Sequence, residues 1–191
     1  MADPRFIRTV IATLTIAGSV ALSTAPVRAA SGCPGANAAV RSAPAAVLRD
    51  AVVCLINQQR ALHHLPPLRE SAQLDRSAQN WTDTMVRTHQ FTHGTNFAGR
   101  ISAVGYAWRT AGENIATGYG TPRAVVRGWM ASAGHCANIL DPAYRDVGTG
   151  VSPRAVSGLG TGPGTWTQDF GLRVNQSPAS RNFGPARGCP Y

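Results

Sequence analysis

The feature that most limits how this chain can fold is a set of four cysteines. Cys33, Cys54, Cys136 and Cys189 all stand behind an N-terminal stretch built like an export signal. Residues 1–29 carry Arg5 and Arg8, a mostly apolar run from Val10 to Leu22, and then Pro26-Val27-Arg28-Ala29, with small residues where a signal peptidase reads. The apolar run is shorter than the ~20 residues a spanning helix needs. No later stretch is long enough either, so cleavage after Ala29 and secretion are expected, with no membrane span in the mature chain. An even number of cysteines in an oxidising compartment predicts two disulfides out of three possible pairings. We expect Cys33–Cys54 and Cys136–Cys189. The first staples a Gly/Ala/Ser/Pro-rich lead-in (30–44) to the first helix. The second ties down a Pro/Gly-rich C-terminal tail (173–191) with little core of its own. The rival is a reactive Cys136 beside His135; the even count, which accounts for every thiol, favours the structural reading.

Between lead-in and tail lies one domain, residues 45–172. Leu48, Val52, Leu55, Ile56 and Leu62 follow helical spacing after Pro44. Leu65-Pro66-Pro67-Leu68 is a rigid connection. A second helix runs from about 71 to 88, with Leu74, Ala78, Trp81 and Met85 on one face; Trp81 and Met85 read as core. Residues 89–120 read as a long loop with a helical turn near 100–104. Thr121-Pro122 starts a third helix, expected to stop at Gly134, with a short turn of helix from 135 to 140. Val147/Thr149/Val151 and Trp166/Gln168/Phe170 alternate as two strands of an antiparallel hairpin. This order of elements predicts an α+β domain, with a small sheet between helices.

All 18 basic residues are arginine, against 9 acidic ones, for a formal charge of +9. The arginines are spread nearly evenly from Arg41 to Arg187 rather than clustered with aromatics, which argues against specific nucleic-acid binding. They give a solubilising, weakly anion-seeking surface, compatible with affinity for anionic cell-wall polymers. The zinc-protease, serine-hydrolase and Cys-x-x-Cys signatures are absent. Of the five histidines, His63, His64 and His89 sit at helix ends. His93, Glu113 and His135 lie in or beside loops. Two imidazoles and a carboxylate would suffice for an open divalent-metal site. Alternatively, Glu113 could fix a histidine tautomer for acid–base work, or the trio could simply order loops.

Phe91-x-His93, Gly112-Glu113-Asn114-Ile115-Ala116, Gly128-Trp129 through His135-Cys136-Ala137-Asn138-Ile139-Leu140, Val147-Gly148-Thr149-Gly150-Val151 and Trp166-Thr167-Gln168-Asp169-Phe170-Gly171 follow one another in order. With Cys54-Leu55-Ile56-Asn57-x-x-Arg60 and Leu65-Pro66-Pro67-Leu68, this set resembles the bacterial branch of the CAP superfamily (cysteine-rich secretory, antigen 5 and pathogenesis-related proteins), over about residues 47–172. The resemblance implies an α-β-α sandwich with a small antiparallel sheet between helices. It also implies a cleft in which His93, Glu113 and His135 match the family's two histidines and first glutamate, with Ser132 and Asn114 lining it. Ser132 stands where many members carry a second glutamate, which lowers the charge of any metal site. The cofactor this allows is a divalent cation, zinc or magnesium; otherwise none is expected. Members have been linked to lipid or sterol binding, to membrane or receptor partners and, in places, to proteolysis, so the fold does not dictate a reaction. Two readings follow. One is a secreted binding module for an extracellular or cell-envelope ligand, a lipid among the candidates. The other is a metal-assisted or Glu113-based hydrolase of extracellular substrates.

Overall fold

The computed structural model describes residues 32–157, 159, 162–178 and 189. The expected signal peptide, residues 1–29, lies outside them. Helix α1 (Ala45–Leu62) begins at Pro44 and buries Leu48, Ala51, Val52, Leu55 and Ile56 on one side. Its last turn anchors the connection that follows. The Asn57 amide donates to Leu68 O (2.9 Å) and its oxygen accepts from Leu68 N (2.8 Å). Arg60 is fully buried, with Nε donating to Pro66 O and Nη1 to Ile139 O and Asp141 O, each at 2.9 Å. Burial lowers its pKa to about 10, so the guanidinium remains charged at neutral pH. The Asn57-x-x-Arg60 motif thus ties the first helix to residues 66–68 and 139–141 through their backbone groups.

Two-residue strand β1 (Arg69–Glu70) leads into α2 (Ala72–Thr88) and short helix α3 (Phe97–Ala103), which Asn96 caps by accepting from Gly99 N at 2.8 Å. Strand β2 (Trp108–Thr117), helices α4 (Pro122–Met130) and α5 (Ala133–Ile139), and strands β3 (Asp146–Ser152) and β4 (Thr165–Arg173) complete the domain. The sheet order is β1-β3-β4-β2. β4 pairs antiparallel with both neighbours, and β1 runs parallel to β3. Helices α1, α4 and α5 pack on one face with Trp129, Trp166, Phe170 and Val147. Helices α2 and α3 cover the other, where the Thr82 hydroxyl donates to that of Thr167 at 2.8 Å. The α-β-α layering and the hairpin of the last two strands agree with the sequence reading. Both expected disulfides are present, Cys33–Cys54 and Cys136–Cys189, and the described residues include no free cysteine.

Three expectations need correction. The sheet is mixed rather than antiparallel, because β1, too short to show any alternation, adds in parallel. Residues 108–117, read as loop, form a ten-residue strand. Gly112, Glu113 and Asn114 are poor strand formers, and the strand exists because it pairs along its length with β4. The third helix ends at Met130, not Gly134, and a separate helix starts at Ala133 after the Ser132 N-cap.

Helix α2 lies directly on β3. A Cβ on Gly148 would strike the Leu74 backbone, and one on Gly150 the Ala78 carbonyl. The alternation Val147-Gly148-Thr149-Gly150-Val151 therefore buries valines toward α1 and lets the helix backbone touch the strand on the other side. Asp169 lies between these layers, register-paired with both Gly148 and Glu113, and is 1% exposed. Burial first, and the Glu113 carboxyl second, hold its carboxyl well above the usual carboxylate range, softened by the Ser77 hydroxyl and Arg100.

These contacts give two predictions. Gly150→Ala should destabilise the fold by about 2–3 kcal/mol in urea denaturation, because neither backbone can move away without losing the layer contact. Asp169 binds its proton more tightly folded than unfolded, so stability should fall as pH rises from ~4, the ordinary carboxylate value, through its raised folded pKa. Asp169→Asn should remove that slope. Melting scans should show it more stable than wild type at mildly alkaline pH and level with it in acid; an unchanged pH profile would contradict this account.

Candidate functional site

The edge of the sheet opposite β1 is β2, and the site lies along it. After α2 the chain reverses at His89, which takes the left-handed conformation (φ 57°) with its N–H on Met85 O. The following loop is held by two side chains. Trp81 Nε1 donates to Thr92 O at 2.9 Å, and Arg100 Nη1 donates to His93 O at 3.0 Å. The Arg100 guanidinium also stacks on the Trp81 ring, 3.8 Å from its centroid. Gly94, at φ +66°, closes the loop where a side chain would press on both. Trp81 is therefore a half-buried clamp rather than the plain core residue its spacing suggests. Met85 is core as expected.

The loop presents His93 to β2. Its Nδ1 lies 2.8 Å from Glu113 Oε1, and Arg100 Nη2 donates to Glu113 Oε2. The Glu113 side chain is 2% exposed and that of His93 is 49% exposed. With Nδ1 on the carboxylate, the Nε2 of a neutral His93 is the nitrogen left to face solvent. Glu113 is accordingly a buried, doubly hydrogen-bonded carboxylate whose charge Arg100 balances.

Helices α4 and α5 close the other wall. Trp129 Nε1 donates to Ile115 O (3.4 Å) and Asn138 Nδ2 donates to Glu113 O (3.2 Å), so side chains cap the outer carbonyls of the edge strand. Asn114 is fully buried; its amide donates to His135 O (3.2 Å) and its oxygen accepts from Asn138 (2.8 Å). It holds α5 in place from behind and does not line the cleft, contrary to expectation. Ser132 and His135 do line it. With His93, Phe91 and Trp129 they bound a cavity of about 540 Å³. Burial, and then the neighbouring His93, hold the His135 imidazole below the usual histidine range, so it is neutral at physiological pH. His63, His64 and His89 take no part in this lining. A larger hollow of about 730 Å³ lies between α1 and α4, but its walls contain no imidazole or carboxylate.

The fold thus brings His93 and Glu113 into contact and places His135 across the same cleft. The three-donor metal set expected from the sequence does not result. Both Glu113 oxygens accept hydrogen bonds, a guanidinium already supplies the positive charge, and Ser132 offers no carboxylate. Among the described residues, no three His, Cys, Asp or Glu side chains are arranged to hold a metal ion. Glu113 as a general base meets the same obstacle, since it is enclosed behind His93. Sequence reasoning missed Arg100, because one arginine among 18 evenly spread ones carries no signal. Asn138 and Trp129 lay inside the recognised motifs, but their bonds to the edge strand depend on a strand the sequence did not reveal.

Residues 53–170 match the model of the cysteine-rich secretory protein family, CAP. YkwD, an uncharacterized protein of Bacillus subtilis, is 36% identical over 135 residues, covering 68% of this chain and 49% of YkwD. An extracellular protein of Bacillus anthracis containing an SCP domain superposes with TM-score 0.59 at 24% identity, over 69% of this chain and 44% of that one. An outer surface protein of Borrelia burgdorferi gives TM-score 0.57 at 19% identity, over 64% of this chain and 90% of that one. This chain therefore spans about half the length of the two Bacillus proteins, and the structural likenesses concern the fold alone. With the family model covering more than half of its residues, the chain belongs to the cysteine-rich secretory protein (CAP) family.

Proposed function

We propose that this protein is exported, with residues 1–29 as its signal, and acts outside the cell as a binding module. Its cleft between the 91–94 loop and α4–α5 receives a small polar ligand or a segment of a larger one. The observation that carries this reading is the His93–Glu113–Arg100 array. A buried carboxylate and its guanidinium partner are used to orient one imidazole, which faces a second, neutral one across a cavity of about 540 Å³. Such an array can recognise a ligand. The imidazoles can donate or accept hydrogen bonds, and Trp129 and Phe91 provide apolar walls. The Glu113 side chain is 2% exposed and held by His93 and Arg100, which leaves the two imidazoles as polar groups that face the cleft. Two disulfides, and relatives described as extracellular or outer surface proteins, support the location.

Soluble peptidoglycan fragments incubated with the oxidised, signal-free chain test this against hydrolysis. Binding followed by NMR should perturb Trp129, Ser132 and His135, while mass spectrometry finds the fragments intact. His135→Ala should weaken binding by about tenfold, ~1.4 kcal/mol, without lowering the melting temperature. Fragments cleaved by wild type and left whole by a folded Glu113→Gln variant would establish a hydrolase instead.

A further inference from the structure

The histidine cleft and the larger hollow beside it share two lining residues, Tyr119 and Gly128. Gly128 is on α4, and a Cβ there would run into the Tyr119 ring. The missing side chain makes room for the hydroxyl end of the ring beside the helix, where the two hollows adjoin. The Tyr119 backbone is fixed as well, since its carbonyl accepts from Trp166 Nε1 at 2.8 Å. Tyr119 therefore borders both hollows, which adjoin at its ring as the two halves of a groove.

The charge along this groove is of one sign. No aspartate or glutamate lines either half. The nearest carboxylate to the cleft half, Glu113, is buried and neutralised internally by Arg100. The far half carries Arg123 and Arg127, both exposed, with Gln58 and Gln59 facing them from α1. Arg123 is held in place by Asn37, whose Oδ1 accepts from its Nε at 2.8 Å. The chain as a whole is +9. A cationic groove with no carboxylate in its walls selects an anion.

The groove does not suit a peptide strand. The outer edge of β2 is where an extended peptide would add, and its Glu113 and Ile115 carbonyls are already taken by Asn138 and Trp129. What remains is recognition by side chains: a flat aromatic ring at the centre, amides and imidazoles on either side, and guanidiniums at one end. Sugar rings stack on such a platform, amides meet hydroxyls, and arginines take carboxylates in a forked geometry.

We infer that the groove binds an acidic glycan chain, with one sugar at the His93–His135 end, one on Tyr119, and a carboxylate-bearing sugar at Arg123 and Arg127. This rests on the reading of the cleft as a binding site and adds the ligand's chemical class and its extension past Tyr119.

The test titrates the oxidised, signal-free chain with linear oligogalacturonates, using neutral oligosaccharides of equal length and short polyglutamate as comparisons. Affinity should rise at least about tenfold from the dimer to the tetramer, fall with added salt, and be lost for the neutral chains. Arg123→Gln/Arg127→Gln should abolish both the gain with length and the preference over neutral chains. Both arginines are exposed, so the variant should fold normally. Tyr119→Ala should weaken dimer and tetramer alike, because its ring lines both halves, and the Arg pair provides the answer if that variant is unstable. Dimer binding with no gain for longer chains would overturn the inference and leave the cleft reading standing. Equal binding of neutral chains, or preference for polyglutamate, would overturn it as well. Failure of every oligogalacturonate while peptidoglycan fragments still bind at Trp129 and His135 would overturn the acidic-glycan assignment alone.

Discussion

Helix α2 rests on β3 with nothing between their backbones at Gly148 and Gly150, and much of the molecule takes its position from that contact. The helix covers one face of the sheet, buries Leu74, Ala78 and Met85, and leaves room for the Thr82–Thr167 hydroxyl pair. Its C-terminus is also the root of the loop that carries His93. A helix displaced outward by one methyl group on either glycine would carry Trp81 with it, and Trp81 holds both that loop and the Arg100 guanidinium. Packing in this protein is thus continuous with the site: a steric requirement in the middle of the sheet sets the height at which an imidazole stands above its edge.

The opposite wall is built by hydrogen bonding. Asn114 and Asn138 bond to each other and to backbone groups on β2 and α5, and Trp129 adds a third bond to the same strand edge. Buried amides cost free energy unless satisfied, so this network exists only when α5 sits at one distance from β2. The Cys136–Cys189 bridge leaves α5 one residue beyond His135 and ties the tail to the same helix. The cleft is therefore fixed on one side by close packing and a cation–π stack, and on the other by buried amides and a covalent link. Such a preformed cavity suits recognition, because little ordering remains to be done when a ligand arrives.

The internal pairing of Glu113 changes what the cleft can do. In sequence, two histidines and a glutamate suggest a cation site. In the fold, the glutamate faces inward to Arg100 and orients His93 from behind, and the adjoining hollow is lined by Arg123 and Arg127. The same three residues that suggest a metal set in one dimension become, once Arg100 is placed among them, an internally paired carboxylate that orients one imidazole.

Much of the protein was determined locally and could be read from the chain. Helical spacing in α1 and α2, the Thr121-Pro122 start, the alternation in β3 and β4, and the number of disulfides each depend on neighbouring residues or on a simple count. Tertiary structure alone decided the rest. Strand β2 has weak intrinsic preference and forms because β4 offers it partners. β1 is a strand only because it lies beside β3. Arg100 acquires its role because a short helix sets it over Trp81 and against a carboxylate 13 residues further on. Periodicity records which side of an element is apolar. It does not record which charged group of one element will meet that of another, and the charge of this cleft is set by such a meeting.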